Sequence, residues 1–146
     1  MKTVMVFGTF DIFHLGHRNF LNQAKKRGDY LIVVIARDQT VEKVKQHKTR
    51  NSENDRLKIV KNSGLVDKAI LGNLKNKYQV IKKYQPDIIC LGYDQKYFID
   101  NLVEKLRQYN LSETKIIRLK PFNKDVYKTS LLNGLSPNTV FDDKPY

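Results

Sequence analysis

Apolar positions in this 146-residue chain come in short blocks separated by polar stretches. Thr3 to Phe7 is an apolar, β-branched run stopped by Gly8, which predicts a buried strand. From His14 to Arg27 the spacing turns helical, with Leu15, Phe20, Leu21 and Ala24 on one side and Arg18, Lys25 and Lys26 outside; Gly28 is placed to cap it. Tyr30 to Ala36 is almost unbroken, as expected of a central strand covered on both faces. Arg37 to Asn51 is polar and basic without a period and predicts mostly loop. Ser52 then caps a helix that has Glu53 and Asp55 in its first turn and carries Leu57, Ile59 and Val60.

The second half repeats the scheme. A strand is predicted at Ala69 to Leu71 and a helix from Asn76 to Tyr84, stopped by Pro86. Strand Ile88 to Leu91, an amphipathic helix from Tyr97 to Tyr109 and strand Lys115 to Leu119 follow. A polar loop leads to a short helical segment around Thr129 to Leu132. The tail from Ser136 has two prolines and no period, so residues 1–134 are expected to form one domain and 135–146 a mobile tail. This alternation predicts an α/β protein with a five-stranded parallel sheet and helices on both faces. Right-handed crossovers put every strand-to-helix loop at the carboxyl edge of the sheet, where the ligand site must lie.

Composition narrows the classes. The length suits one domain with one core. Cys90 is the only cysteine, so no disulfide forms within the chain, and its apolar setting predicts a structural role. The apolar run behind Lys2 breaks at Gly8, Thr9 and Asp11, too early for a signal peptide or membrane span, and a cytoplasmic protein is expected. The formal charge of +12 fits either a nucleic-acid surface or steering of anionic small substrates. Twenty of the 27 basic residues are Lys, scattered through every segment, and Asn is abundant too. That favours compositional bias with anion steering over a dedicated nucleic-acid binder.

The chemistry gathers between Gly8 and His17, in the segment GTFDIFHLGH. His14 and His17 are three apart at a helix start, so both rings project from one face beside the N–H groups of the first turn. Gly8 allows close backbone approach to a phosphate, and Gly16 removes a side chain between the histidines. Such a constellation suits a triphosphate attacked in line at its α-phosphorus, where positioning and charge stabilisation matter more than covalent catalysis. Half of a zinc site is the competing account, but His47 is the only other histidine and no third ligand is evident nearby.

G-T-F-D-x-x-H-x-G-H resembles the signature of the cytidylyltransferase-like nucleotidyltransferase superfamily, and the likeness runs in order over about the first 130 residues. It implies a Rossmann-like fold and transfer of a nucleotidyl group from a nucleoside triphosphate to a phosphorylated small molecule, with Mg²⁺ and release of pyrophosphate. By the same resemblance His14 and His17 contact the triphosphate, Thr9 and Phe10 lie against the phosphates, and Asp11 lies near the acceptor or metal. In similar proteins a lysine after the second strand contacts phosphate; Lys45 is the first candidate, Lys43 the second. Glu53-x-x-Arg56 resembles the family's E-x-x-R, in which the arginine anchors the acceptor or holds the loop; a plain surface ion pair is the alternative. Gly92 and Asp94 follow a buried strand at the ligand edge and are expected to meet the nucleotide, a turn being the simpler account.

Thr129 and Ser130 match hydroxyls that bind the outer phosphates, although Leu131 stands where relatives often have a basic residue. Ile35 to Asp38, Leu91 to Lys96 and Arg118 to Lys120 resemble the archaeal-type FAD synthase group, which uses ATP and FMN. The glycerol-3-phosphate cytidylyltransferase group, using CTP, is the second match. The resemblance admits a homodimer, which no segment of the chain fixes by itself.

Overall fold

The computed structural model describes residues 1–45, 49–92, 95, 99–120 and 144–145. Its elements run β1 (Thr3–Gly8), α1 (Leu15–Lys25), β2 (Tyr30–Ile35), α2 (Asp38–Lys45), α3 (Glu53–Lys61), β3 (Lys68–Leu71), α4 (Gln79–Tyr84), β4 (Ile88–Leu91), α5 (Ile99–Gln108), β5 (Lys115–Arg118) and β6 (Lys144–Pro145). The sheet order is β3-β2-β1-β4-β5-β6. Its first five strands are all parallel, as the alternating pattern predicts. The two-residue β6 adds an antiparallel edge against β5 that the sequence pattern did not predict.

Period-two alternation divides the strands between two cores. Val4, Val6, Leu31, Val33, Ile88 and Cys90 face a cluster completed by α1 and α3. Met5, Phe7, Ile32, Val34, Ile89 and Leu91 face the other, completed by α4 and α5. Each fully buried aliphatic side chain stabilises the fold by roughly 1.5–3 kcal/mol, so both faces of the sheet contribute. Burial also pushes the Cys90 thiol up to about 12, which keeps it protonated and unreactive.

Two local expectations change. The segment after Arg37 holds helix α2 rather than mostly loop. Only Val41 is shown to bury an apolar side chain there, too little for a period to register. Helix α1 ends at Lys25 and is capped by Lys26, whose backbone N–H donates to the Asn22 carbonyl at 3.3 Å. The next N–H, of Arg27, donates to the Ala24 carbonyl at 3.0 Å. Gly28 serves a close approach instead: a Cβ there would sit 2.8 Å from the Lys2 carbonyl oxygen.

β1 is flanked by β2 on one side and β4 on the other. The chain winds outward from β1 to β3 and then returns to build β4 and β5. The topological switch point therefore falls between β1 and β4, and the crevice beyond their carboxyl ends is the expected ligand position.

Candidate active site

The loop from β1 into α1 builds the first wall of this crevice. His14 is the N-cap of α1 in an extended conformation, and its Nδ1 accepts the Gly16 N–H at 3.0 Å. His17, three residues on, accepts the His14 N–H on its own Nδ1 at 3.4 Å. The two imidazoles thus form a reciprocal capping box, a task more often done by Ser and Glu. Two N–H groups expected to face a phosphate are consequently spent on the rings. A neutral imidazole whose Nδ1 accepts a hydrogen bond carries its proton on Nε2, so the cap itself selects the Nε2–H tautomer on both histidines. The rings lie 3.9 Å apart, 19° from parallel, and His14 is solvent-exposed.

Aromatic neighbours hold this pair. Phe13 stacks on His17 at 5.8 Å and 19°, with the Arg18 guanidinium 5.6 Å over the Phe13 ring. Phe10 meets His17 edge-on at 5.2 Å. The Phe10 ring is 3% exposed and belongs to the core beneath α1, so its side chain faces inward rather than into the crevice. It adopts φ 53°, a conformation that costs a non-glycine residue of order 1 kcal/mol and persists because packing fixes the ring. The same ring explains Gly8: a Cβ there would lie 2.6 Å from it.

A buried clasp lies behind the loop. Arg56, on α3, is fully buried; its Nη1 donates to the Thr9 carbonyl at 2.9 Å, its Nε to the Asn51 carbonyl at 3.2 Å and its Nη2 to Asp38 at 2.6 Å. Asp11 accepts the Arg50 and Asn51 N–H groups at 2.9 Å each, one on either oxygen. Burial works against the Asp11 charge, but those two donors and Arg56 hold its carboxyl below its ordinary value. Asp38 behaves alike: burial opposes its charge, and Arg56 with the Glu53 N–H outweighs that. Glu53 pairs with Arg37 at 2.8 Å. Glu53 and Arg56 are therefore not a surface i,i+3 pair; each reaches away from its helix to a different partner.

The opposite wall stands on β4. The Gly92 N–H donates to Gln95 Oε1 at 2.8 Å, and Gln95 Nε2 donates to the Phe7 carbonyl at 2.7 Å. Gln95 thereby ties the ends of β1 and β4 across the switch point. Arg118 at the end of β5 donates to the Gly92 carbonyl at 2.7 Å and the Gln95 carbonyl at 3.2 Å. Crevice, helix start and imidazole pair occupy one place on the sheet.

The cytidylyltransferase-like family profile matches residues 5–133. The chain belongs to the cytidylyltransferase-like family. An FAD synthase of Aciduliprofundum boonei is 43% identical over 134 residues, 92% of this chain and 85% of that protein. An FAD synthase of Methanosarcina barkeri is 42% identical, covering 86% and 87%. A crystal structure titled as the lipopolysaccharide core biosynthesis protein from Thermoplasma volcanium superposes with a TM-score of 0.79 at 39% identity, over 84% of this chain and 99% of that one. A pantoate-β-alanine ligase from Francisella tularensis, at 18% identity and a TM-score of 0.59 over 86% and 61%, shares the fold alone.

Membership makes the chain a nucleotidyltransferase that takes a nucleoside triphosphate, with a Rossmann-like sheet. Within that frame, His14, His17, Gly8, Thr9, Gly16 and Gly92 all lie at the carboxyl edge. Lys43 is exposed on α2, and Lys45 ends that helix with its side chain outside the described residues. Asp94, Thr129, Ser130 and Leu131 also lie outside them. Gln95, Asn51 and Asp38 escaped the sequence reading as structural elements of the site. Only Gln95 carried a usable signal, its place just after β4 at the switch point.

No helix among the described residues is long and apolar enough to cross a membrane. Nor does any group of three His, Cys, Asp or Glu among them gather to hold a metal. Asp11 in particular has both oxygens committed to backbone N–H groups.

Proposed function

We infer that the protein is an FMN adenylyltransferase, converting ATP and FMN to FAD and pyrophosphate. About 40% identity with FAD synthases over most of both chains supports the substrates. The observation that carries the chemistry is the stacked, capped imidazole pair beside the switch point. In this reading the phosphate oxygen of FMN attacks the α-phosphorus in line, the new P–O bond forming as the bond to the β-phosphate bridging oxygen breaks. No side-chain nucleophile is needed. His14 and His17 stabilise charge on the phosphates as it moves toward the leaving pyrophosphate. Lys45 is proposed to add a cation on the same side, and Thr129 and Ser130 to receive the outer phosphates. A triphosphate-borne Mg²⁺ supplies charge neutralisation. Asp11 and Arg56 hold the loop rather than touch the acceptor, since their polar atoms are engaged with one another's surroundings.

The family description favours one second reading, CTP with a small phospho-alcohol such as glycerol 3-phosphate. Pyrophosphate release from ATP and from CTP, each offered FMN, glycerol 3-phosphate or phosphocholine, separates the two. ATP with FMN is expected to give FAD; silence there, with CTP supporting another acceptor, would sink the first reading.

A further inference from the structure

A cavity of about 310 Å³ opens between the edge strand β3 and helix α4. That volume is at the lower end of what small-molecule sites use, enough for a fused ring system but not for a whole dinucleotide. Its top is at the carboxyl edge of the sheet, where Gly72 follows β3, so it shares an edge with His14 and His17. Two strand spacings, about 10 Å, separate the end of β3 from that of β1.

The lining is chemically divided. Ile70 and Val80 give it an apolar wall, and Tyr84 an aromatic one. Arg37 crosses the top: its Nε donates to the Gly72 carbonyl and its Nη1 to Glu53, both at 2.8 Å. The guanidinium is thus fixed before any ligand arrives, and neither bond uses Nη2. Lys83 adds a second cation, its ammonium 5.4 Å from the centre of the Tyr84 ring. The Asn73 side-chain oxygen already accepts the Lys75 and Asn76 N–H groups. Gln79, exposed in the first turn of α4, is the amide that remains for a ligand.

We propose that this cavity is the subsite for the ring of the acceptor, and that it selects a fused heteroaromatic bearing an imide edge. The proposal rests on the reading of the acceptor as a flavin. The isoalloxazine of FMN has apolar faces, which suit Ile70, Val80 and Tyr84. Its edge carries two carbonyls and a ring nitrogen rich in lone pairs, which suit Arg37 and Lys83, and one N–H, which suits the Gln79 carbonyl. Its ribityl chain spans the distance from ring to phosphate, so the phosphate lies at His14 and His17 while the ring sits against α4. A small phospho-alcohol would leave the cavity empty, which makes it a determinant of acceptor choice rather than of the reaction.

The test uses Gln79→Trp, which fills the cavity from an exposed position, and Lys83→Glu, which reverses its charge. KM for FMN is expected to rise at least tenfold in each while KM for ATP is unchanged. The inhibition constant of ribitol 5-phosphate, which keeps the chain and phosphate but lacks the ring, should also be unchanged. FMN fluorescence quenching in the absence of ATP should weaken in parallel. Unaltered KM for FMN, or equal losses for FMN and ribitol 5-phosphate, overturns the subsite while leaving the proposed function intact. Failure of the unsubstituted protein to convert FMN with ATP overturns the function, and the subsite with it.

Discussion

The imidazole pair and the clasp behind it meet at the same loop after β1, yet they spend their hydrogen bonds differently. His14 and His17 each commit Nδ1 to a backbone N–H of the helix start, which orients both rings. Arg56 is fully buried with all three nitrogens bonded inside the protein, and Asp11 has both oxygens on backbone donors. At a ligand edge an exposed polar side chain oriented by a single bond, as His14 is, is equipped to act on a ligand. One whose capacity is consumed is equipped to hold the residue that does.

The sharpest way to break this contrast is Arg56→Met. Arg56 is buried while Asp38 is partly exposed, so the main loss is the bonds to the Thr9 and Asn51 carbonyls. The unfolding free energy in urea should fall by about 1–3 kcal/mol. Activity should then follow the folded fraction, with KM for FMN unchanged. A variant of normal stability with a large rise in KM for FMN would instead make Arg56 an acceptor ligand. His14→Ala and His17→Ala are expected to do the opposite. Losing a donor to a developing charge costs about 100- to 1,000-fold in kcat. The lost cap should cost no more than about 1 kcal/mol of stability. Thermal melts beside steady-state kinetics check both halves.

The histidines were legible in the sequence because their partners are local, at i+2 and i+3, where spacing alone fixes geometry. The clasp was not. Asp11 meets Arg50 and Asn51 some forty residues on, and Arg56 reaches back to Thr9 across 47. Gln95 reaches Phe7 across 88. No periodicity encodes such pairs. The strands were legible because unbroken apolar runs have one reading in a parallel sheet covered on both faces. Helix α2 was not, since it is short and held largely by the Asp38 and Glu53 ends rather than by an apolar face. Motif position alone does not show that tertiary packing turns the Phe10 ring into the core.

A smaller effect separates the clasp from the histidines by pH. Asp11 and Asp38 are both held below their ordinary value in the folded protein. The stability they contribute is complete above the ordinary carboxylate range, near pH 4, and is lost as pH falls through the depressed native values. Asp67, held down chiefly by Lys25 and then by the Leu31 N–H, adds to the same slope. Urea midpoints should therefore fall as pH is lowered from about pH 6 to about pH 3. Asp11→Asn should cost about 1–2 kcal/mol at neutral pH, the value of weakened charge-assisted bonds, and should flatten part of that slope. An unchanged slope would mean that Asp11 does not clasp the loop and is available to a ligand.

The smallest effect lies on the boundary between the two regions, at Phe13. Its ring is partly buried in the core on one side and stacked on His17 at 5.8 Å on the other, with Arg18 beyond. Aromatic pairs of this kind contribute about 0.5–1.5 kcal/mol beyond simple burial. If the stack positions the imidazole, Phe13→Leu should lower kcat by about threefold to tenfold, the kinetic equivalent of that energy, with KM for ATP nearly unchanged. Loss of the ring current should also move the His17 ring-proton resonances, and Phe13→Tyr should restore both rate and resonance. A loss of stability with kcat and the His17 resonances unmoved would place Phe13 wholly with the core. The line between holding and acting would then run between residues 13 and 14 rather than through the stack.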